Sequence, residues 1–452
     1  MEPFRYHVFV CTQQKPEGAP SCCARGSEKT LAALQREIQA RGLEDEVMVT
    51  SCGSLGLCEW GPNMIVYPEG VWYTGVTPAD VPAIVQSHFM DDTPLEPFVR
   101  LNSAELRAEI LANREKRQAA MRARDVAGAL PDDLNDRIRG FQESRVILTA
   151  LELDVFTAIG EGAHAAAAAA RTGTNARALE MLLNSLASMG LVSKQEGVFR
   201  NSAVTARFLA AGSRDNARPG LMHTAHLWDR WSTLTDSVRA GTAVTDPHIE
   251  ARGKEWIEPF IAAMHRNATM GAPAVVRAVG ATGVRLMLDI GGGSGAYSIA
   301  FAKANPELMA DILDLPAVTP IAQRHIEEGG VTGRVRVKSG DLRRDDLGKG
   351  YDLVFVSAIC HMLDEQGNRD LLKRCRSSLR TGGRVVIQDF ILNDEKTGPK
   401  SAALFALNML VGTQGGGTYS EQEYAEWLEK AGFQEVRRVR LPGPAGLMIA
   451  VA

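Results

Sequence analysis

The sequence predicts an α/β protein of several domains: a small two-layer α/β domain, a helical stretch that includes a winged helix, and a parallel, helix-covered sheet whose last strand is antiparallel. Three observations predict it. The 452 residues suit about three domains at roughly 150 residues each. Strand-like runs alternate with helical ones over residues 5–92 and again from residue 272, while the spacing between them is almost wholly helical. The cysteines are bunched: Cys11, Cys22, Cys23, Cys52 and Cys58 lie near the N-terminus, and only Cys360 and Cys375 follow.

In chain order, residues 5–12 read as a strand, a Pro/Gly-rich loop runs to Gly26, and 27–41 has helical spacing with Leu31, Leu34 and Ile38 on one face. Residues 46–51 alternate like a strand. Two more strands, 63–67 and 71–76, are joined by the turn Pro68-Glu69-Gly70, and Thr77 is placed to cap a last helix. The first domain is expected to span 1–95. A linker over 96–128 follows, in which 103–125 is rich in Ala, Glu, Lys and Arg without Gly or Pro, the pattern of a solvated connecting helix.

Residues 129–270 form the helical domain, with runs at 141–153, 163–171 and 176–189. The stretch 191–200 reads as two short strands around Glu196-Gly197, completing a winged helix. Its helix 175–189 is mostly apolar with Arg177 as its one basic residue, which favours a protein–protein role over DNA binding. The last domain, 271–452, alternates strands (286–290, 309–313, 335–339, 353–356, 384–389) with helices (296–303, 317–327, 367–379). Its final strands, 435–440 and 446–451, are separated by little more than Leu441-Pro442-Gly443-Pro444, a connection that permits only an antiparallel hairpin.

Composition excludes several classes. With 45% hydrophobic and 23% charged residues and a net charge of -4, the chain has the make-up of a core-forming protein, not of a disordered or collagenous one. Its longest uncharged stretches fall short of the roughly 20 apolar residues of a membrane helix. The near-neutral balance supplies no basic field for nucleic acid. The N-terminus runs straight into a strand pattern with no cleavable signal, so the cytoplasm is the expected location. In that compartment grouped cysteines point to metal binding or redox chemistry, the alternative being a set of small buried hydrophobes.

The C-terminal domain carries the clearest chemistry. Leu286 to Gly295 (LMLDIGGGSG) is an apolar strand entering a Gly-rich turn before a helix. Gly291, Gly293 and Ala296 also satisfy the G-x-G-x-x-G/A dinucleotide pattern, so taken alone the loop leaves a nicotinamide enzyme open. Three carboxylates, Asp289, Asp314 and Asp341, each close a strand at the edge where open α/β sheets bind ligands.

Residues 130–452 resemble the O-methyltransferases that use S-adenosylmethionine. The match runs through LDIGGGSG, Asp314-Leu315-Pro316, Gly340-Asp341, and Ile359-Cys360-His361 onward through LLKRCRSSLRTGGRVVIQDFIL. The resemblance implies that Asp289, Gly291 and Gly293 surround the methionine portion, that Asp314 binds ribose, and that Asp341 with Leu342 flanks adenine. It implies that the winged-helix region is a homodimerisation domain. It also implies that His361 is the general base toward a hydroxyl on a small aromatic or conjugated acceptor, oriented by Asp389. The chain departs from the caffeate-type pattern in two places: His361-Met362-Leu363 stands for His-Asp-Trp, and Thr418 for a second orienting Glu. Phe141, Met222, Trp228, Trp231, Met264 and Met409 are candidates for an acceptor pocket, whereas His223, His226 and His265 read as ordinary helix residues.

Residues 5–90 resemble the thioredoxin-like 2Fe-2S ferredoxins, through HVFVC at Cys11, SCCARGS around Cys22, Cys58-Glu59-Trp60-Gly61-Pro62, and Ile65 to Tyr73. The resemblance implies Cys11, Cys22 and Cys58 as cluster ligands, with Cys23 a possible substitute for Cys22. At the fourth position stands Ser54. Three readings are open: Cys52 reaches the metal through a rearranged Gly53 loop, which is the preferred one; Ser54 ligates as an alkoxide; or the cluster is absent. A ferredoxin domain leaves three couplings open: gating of activity by redox state, docking of a redox partner, or keeping an acceptor such as a quinol reduced. The competing function is a redox carrier or sensor whose methyltransferase fold only binds the nucleotide or mediates dimerisation.

Overall fold

The computed structural model describes residues 3–15, 19–100, 103–126, 128, 130–245 and 254–452. The part of the expected helical domain over 246–253 lies outside the described residues. Contacts divide the chain into two compact units, Met1–Gly140 and Phe141–Ala452.

The first unit holds four strands, β1 Tyr6–Cys11, β2 Val47–Cys52, β3 Asn63–Tyr67 and β4 Val71–Thr74, in the order β2-β1-β3-β4. The β1–β2 pair is parallel and the others are antiparallel. Leu34 and Ile38 of the helix Ser27–Ala40 pack with Val8, Val10, Met64, Val66 and Tyr73 into its core.

Three expectations need correction here. Thr77 is not a cap: Asp80 holds the N-cap position of the helix Val81–Ile84, and its carboxylate accepts from the Thr77 N–H (2.8 Å) and hydroxyl (2.6 Å). The packed unit also runs past residue 95, because Leu95, Phe98 and Val99 lie on its core and Val99 bridges Tyr73. Finally, the helix Ser103–Val126 is not a free connector. Leu106 is buried, Glu109 accepts from Trp60 and Arg100, and Asn113 donates to the Gly56 carbonyl at 2.9 Å. Its contacts divide between the apolar pair Leu106 and Ile110 and the polar Glu109 and Asn113, too short an apolar stripe for a sequence reading to find.

The second unit opens with the helices Phe141–Glu152, Val155–Ile159, Ala165–Thr172 and Ala176–Ser188 and a small sheet of β5 Ala163–His164, β6 Val192–Gln195 and β7 Val198–Asn201, in the order β5-β7-β6. Phe156, Leu183, Leu186 and Phe199 are fully buried between them. Asn175 caps its helix through the Ala178 N–H, a contact worth about 1 kcal/mol. The helices Arg218–Trp231, Leu234–Ala240 and Lys254–Val279 lead into the large sheet.

That sheet contains β8 Leu286–Ile290, β9 Met309–Asp314, β10 Val335–Ser339, β11 Tyr351–Ser357, β12 Leu379–Asp389, β15 Gln434–Arg440 and β16 Gly446–Val451. The short strands β13 Ile391–Leu392 and β14 Tyr419–Ser420 pair separately. Its order is β10-β9-β8-β11-β12-β16-β15, with β16 antiparallel to both neighbours. The run Leu353 to Val356 of β11 is apolar and fully buried, as a central parallel strand covered on both faces must be. The chain steps outward from β8 through β9 and β10, then returns to β11 on the other side of β8. Strand order therefore reverses between β8 and β11, and the loops leaving their C-terminal ends enclose the crevice where such sheets bind ligands. No helix among the described residues is long and apolar enough to cross a membrane.

Candidate active site

The loop after β8 requires its glycines. Gly291 has φ +66°, and a Cβ there would lie 2.2 Å from Ile359 Cδ1 in the loop after β11. At Gly292 a Cβ would meet the Asp289 carboxyl carbon at 2.8 Å. Gly293 differs, with φ +58° and nothing within 4 Å of the Cβ position, so its surroundings are open. The loop is tied to the end of β9, where Asp314 accepts from the N–H groups of Gly293 and Leu315, each at 2.7 Å. Burial pushes the Asp314 carboxyl up, against those two hydrogen bonds.

Asp289 lies wholly buried beneath this loop. Its Oδ2 accepts from the Ser298 hydroxyl at 2.6 Å, while Oδ1 is buried without a partner. Burial pushes its carboxyl up to about 7, opposed by the Ser298 bond and helped by the charge of Asp314. The folded chain thus holds a proton that the unfolded chain releases near pH 4, and stability falls as pH rises from about 4 toward 7. We expect Asp289→Asn to remove this slope, read as melting temperature from pH 4.5 to 8; parallel curves for the two proteins would refute it.

Asp341 sits at the expected strand end, but its carboxylate is taken by its own loop. Arg343 and Arg344 bind it, at 3.0 Å each, and the Arg343 hydrogen bonds bring it down to about 2. Leu342 is half-buried against the sheet's core.

Across the crevice, β11 ends in Ser357 and the chain turns at Ala358, whose φ of +56° is unusual for a residue with a Cβ and costs about 1–2 kcal/mol. The Ala358 N–H still bonds Gln388 on β12 at 2.9 Å. This turn delivers Cys360–Met362 as a single 3-10 turn with His361 buried. Its Nδ1 lies 2.7 Å from Asp389 Oδ1, and its backbone N–H donates to Asp389 Oδ2 at 3.1 Å. The other ring nitrogen, Nε2, has no partner among the described residues. An imidazole held this way through Nδ1 is arranged to accept a proton at Nε2.

Several supports were not legible in sequence. Phe405 sits edge-to-face with His361 (ring centres 4.9 Å apart) and stacks on Phe390 at 4.0 Å. Gly416 lets its loop close over the histidine, since a Cβ there would lie 2.3 Å from the His361 carbonyl oxygen. His265 reaches the glycine loop through Ser294 Oγ at 2.9 Å and stacks on His325. Only the adjacency of Phe390 to Asp389 offered a signal, because an apolar residue such as Phe405 in an apolar helix reads as core.

Thr418, at the place of a second orienting acid, donates to the Ala402 carbonyl instead. Of the pocket candidates, Phe141 is exposed and Met222 packs against the winged-helix core. Trp231 donates to Asn408 at 3.0 Å on the helix Lys400–Gly412, which also carries Phe405 and the buried Met409. Trp228 lies under Arg145, 5.3 Å from the guanidinium, and Met264 is half-buried.

In the first unit, the sulfurs of Cys11, Cys22 and Cys58 lie within 4.8 Å of one another, all buried. Hydrogen bonds from Cys11 and Cys22 push the Cys58 thiol down, while Cys22 is pushed up by its hydrogen bonds with Cys11 and Cys58. A Cβ on Gly61 would lie 2.6 Å from the Cys22 sulfur. Cys52 packs beside this trio but is not part of it, and Cys23 lies outside it, facing Glu28.

Comparison with known proteins agrees with the second unit. Residues 231–434 match an O-methyltransferase domain and residues 135–211 an O-methyltransferase dimerisation domain. The chain is 35% identical to 3-hydroxy-5-methyl-1-naphthoate 3-O-methyltransferase of Streptomyces sahachiroi, over 71% of this chain and 95% of that protein. It is 28% identical to the tetracenomycin polyketide synthesis 8-O-methyl transferase TcmO of Streptomyces glaucescens, over 71% and 96%. The solved structure of PigF with SAH superposes with a TM-score of 0.67 at 28% identity, covering 72% of this chain and all of PigF. With these matches laid over the glycine loop and the buried His361–Asp389 pair, the chain belongs to the S-adenosylmethionine-dependent O-methyltransferases.

Proposed function

We propose that the protein methylates a hydroxyl of a small aromatic or conjugated acceptor, works as a homodimer through residues 135–211, and carries a 2Fe-2S cluster in its N-terminal domain. The His361–Asp389 pair beside the glycine loop carries the first part of this reading. S-adenosylmethionine supplies an electrophilic methyl group when bound. Asp289, Gly291, Gly293 and Asp314 hold it, with Asp341 and Leu342 at the adenine. The open space at Gly293 and the unpartnered Asp289 Oδ1 support that assignment.

A phenol with a pKa near 10 is almost wholly neutral at pH 7. His361 Nε2 takes its proton as the oxygen attacks, a contribution of roughly 10²- to 10⁴-fold. Asp389 keeps Nδ1 protonated and stabilises the imidazolium that forms. Phe390 and Phe405 offer an aromatic wall to a flat acceptor. The naphthoate and polyketide methylations for which the two Streptomyces relatives are named support an aromatic acceptor.

The convergence of three buried thiols supports the cluster, which takes two protein donors per iron and exchanges electrons one at a time. The test is protein purified without oxygen, given S-adenosylmethionine and a panel of hydroxynaphthoates, polyketide phenols and hydroquinones, with methyl ethers detected by mass spectrometry. We expect product from at least one class. A protein that binds S-adenosylmethionine and methylates none of them overturns the acceptor assignment.

A further inference from the structure

We infer that the Ser54 hydroxyl oxygen, and not the Cys52 sulfur, is the fourth protein donor of the N-terminal metal centre. This inference rests on the cluster reading above and names the ligand that it leaves open. Ser54 Oγ lies 3.3 Å from Cys58 Sγ. At a tetrahedral metal with sulfur at about 2.3 Å and oxygen at about 2.0 Å, two such donors stand about 3.5 Å apart. Ser54 and Cys58 are thus already at the spacing of two donors on one iron, and Cys11 and Cys22 remain for the other.

The loop that sets this spacing is held from several sides. The Gly56 N–H donates to Ser54 Oγ at 3.2 Å, and Asn63 donates to the Leu57 carbonyl at 2.7 Å. The helix Ser103–Val126 closes over it: Asn113 donates to the Gly56 carbonyl, and Ile110 fills the space where a Gly56 Cβ would lie, at 2.9 Å.

Cys52 is held elsewhere. It ends β2 in register with Cys11, and its carbonyl accepts from both the N–H (3.0 Å) and the hydroxyl (3.4 Å) of Thr12. Its sulfur lies outside the trio. Gly53, which would have to carry it inward, is not among the described glycines with positive φ. When Ser54 binds, its hydroxyl proton passes to water and an iron–oxygen bond forms. An alkoxide is a harder donor than a thiolate, so it favours ferric iron and shifts the sulfur-to-iron absorption to shorter wavelength.

The experiment compares full-length wild type, Cys52→Ala, Ser54→Ala and Ser54→Cys, each reconstituted anaerobically with ferrous iron and sulfide. The readouts are iron and sulfide content, visible absorption and reduction potential. We expect Cys52→Ala to match wild type, and Ser54→Cys to keep the cluster with stronger, red-shifted bands and a raised potential. Ser54→Ala should lose iron to a chelator faster by roughly tenfold or more, since even contacts that support a ligand are worth that much. If Cys52→Ala shifts or loses the bands while Ser54→Cys leaves them unchanged, Cys52 is the ligand and the inference fails. If neither Ser54 variant differs from wild type, it also fails. A wild-type protein that takes up no iron overturns the cluster reading itself, and that result is seen without any variant.

Discussion

His361→Ala lowers kcat by roughly 10²- to 10⁴-fold and leaves the affinity for S-adenosylmethionine unchanged. The separation of the two effects follows from position. His361 lies in the loop after β11 with its Nδ1 on Asp389, whereas the carboxylates and glycines assigned to the cofactor lie at the C-terminal ends of β8, β9 and β10. Removing the imidazole takes away the proton acceptor without touching the glycine loop. Asp389→Asn should lower kcat in the same direction, because an amide oxygen holds the Nδ1 proton less firmly and no longer offsets the positive charge on the ring. Its fold should suffer too, since Asp389 also accepts from the backbone N–H groups of His361 and Phe390. Steady-state kinetics with calorimetric titration of S-adenosylmethionine separates these effects. Full activity in His361→Ala would assign the base elsewhere.

Gly291→Ala is expected to damage both halves of the site at once. Its Cβ would fall 2.2 Å from Ile359 Cδ1 and 2.7 Å from Cγ1, and Ile359 lies two positions before His361. Either the glycine loop or the histidine loop has to move, and the residue must also hold a left-handed φ, so we expect a stability loss of about 1–3 kcal/mol. Binding of S-adenosylmethionine and kcat should fall together. Gly293→Ala is the informative contrast: with nothing within 4 Å it meets only the backbone cost, about 1 kcal/mol, and its methyl group fills the open space proposed for the cofactor. It should therefore fold and bind poorly. Thermal melts and calorimetry on both variants check this, and a Gly291→Ala protein that melts and binds like wild type would refute the contact.

Much of this molecule was legible in its residues. Alternating strand and helix patterns, the glycine run after β8 and the short final connection were enough to anticipate a parallel sheet with an antiparallel end, because each depends on local chemistry: periodicity, φ freedom and loop length. His361 and Asp389 were named by the resemblance of their motifs to the O-methyltransferases, and parallel pairing of β11 with β12 brings the two side by side. What depends on distant segments was not. Ile359 against Gly291 and Phe405 against His361 are contacts between residues that carry no mark of their partners, and although the ferredoxin resemblance set Ser54 at the fourth ligand position, only the fold brings its hydroxyl to 3.3 Å from Cys58. An apolar residue in an apolar helix looks the same wherever it lies. Only packing decides which residue meets the imidazole or the Cys58 sulfur, because it fixes the few ångströms on which hydrogen bonding and ligation depend.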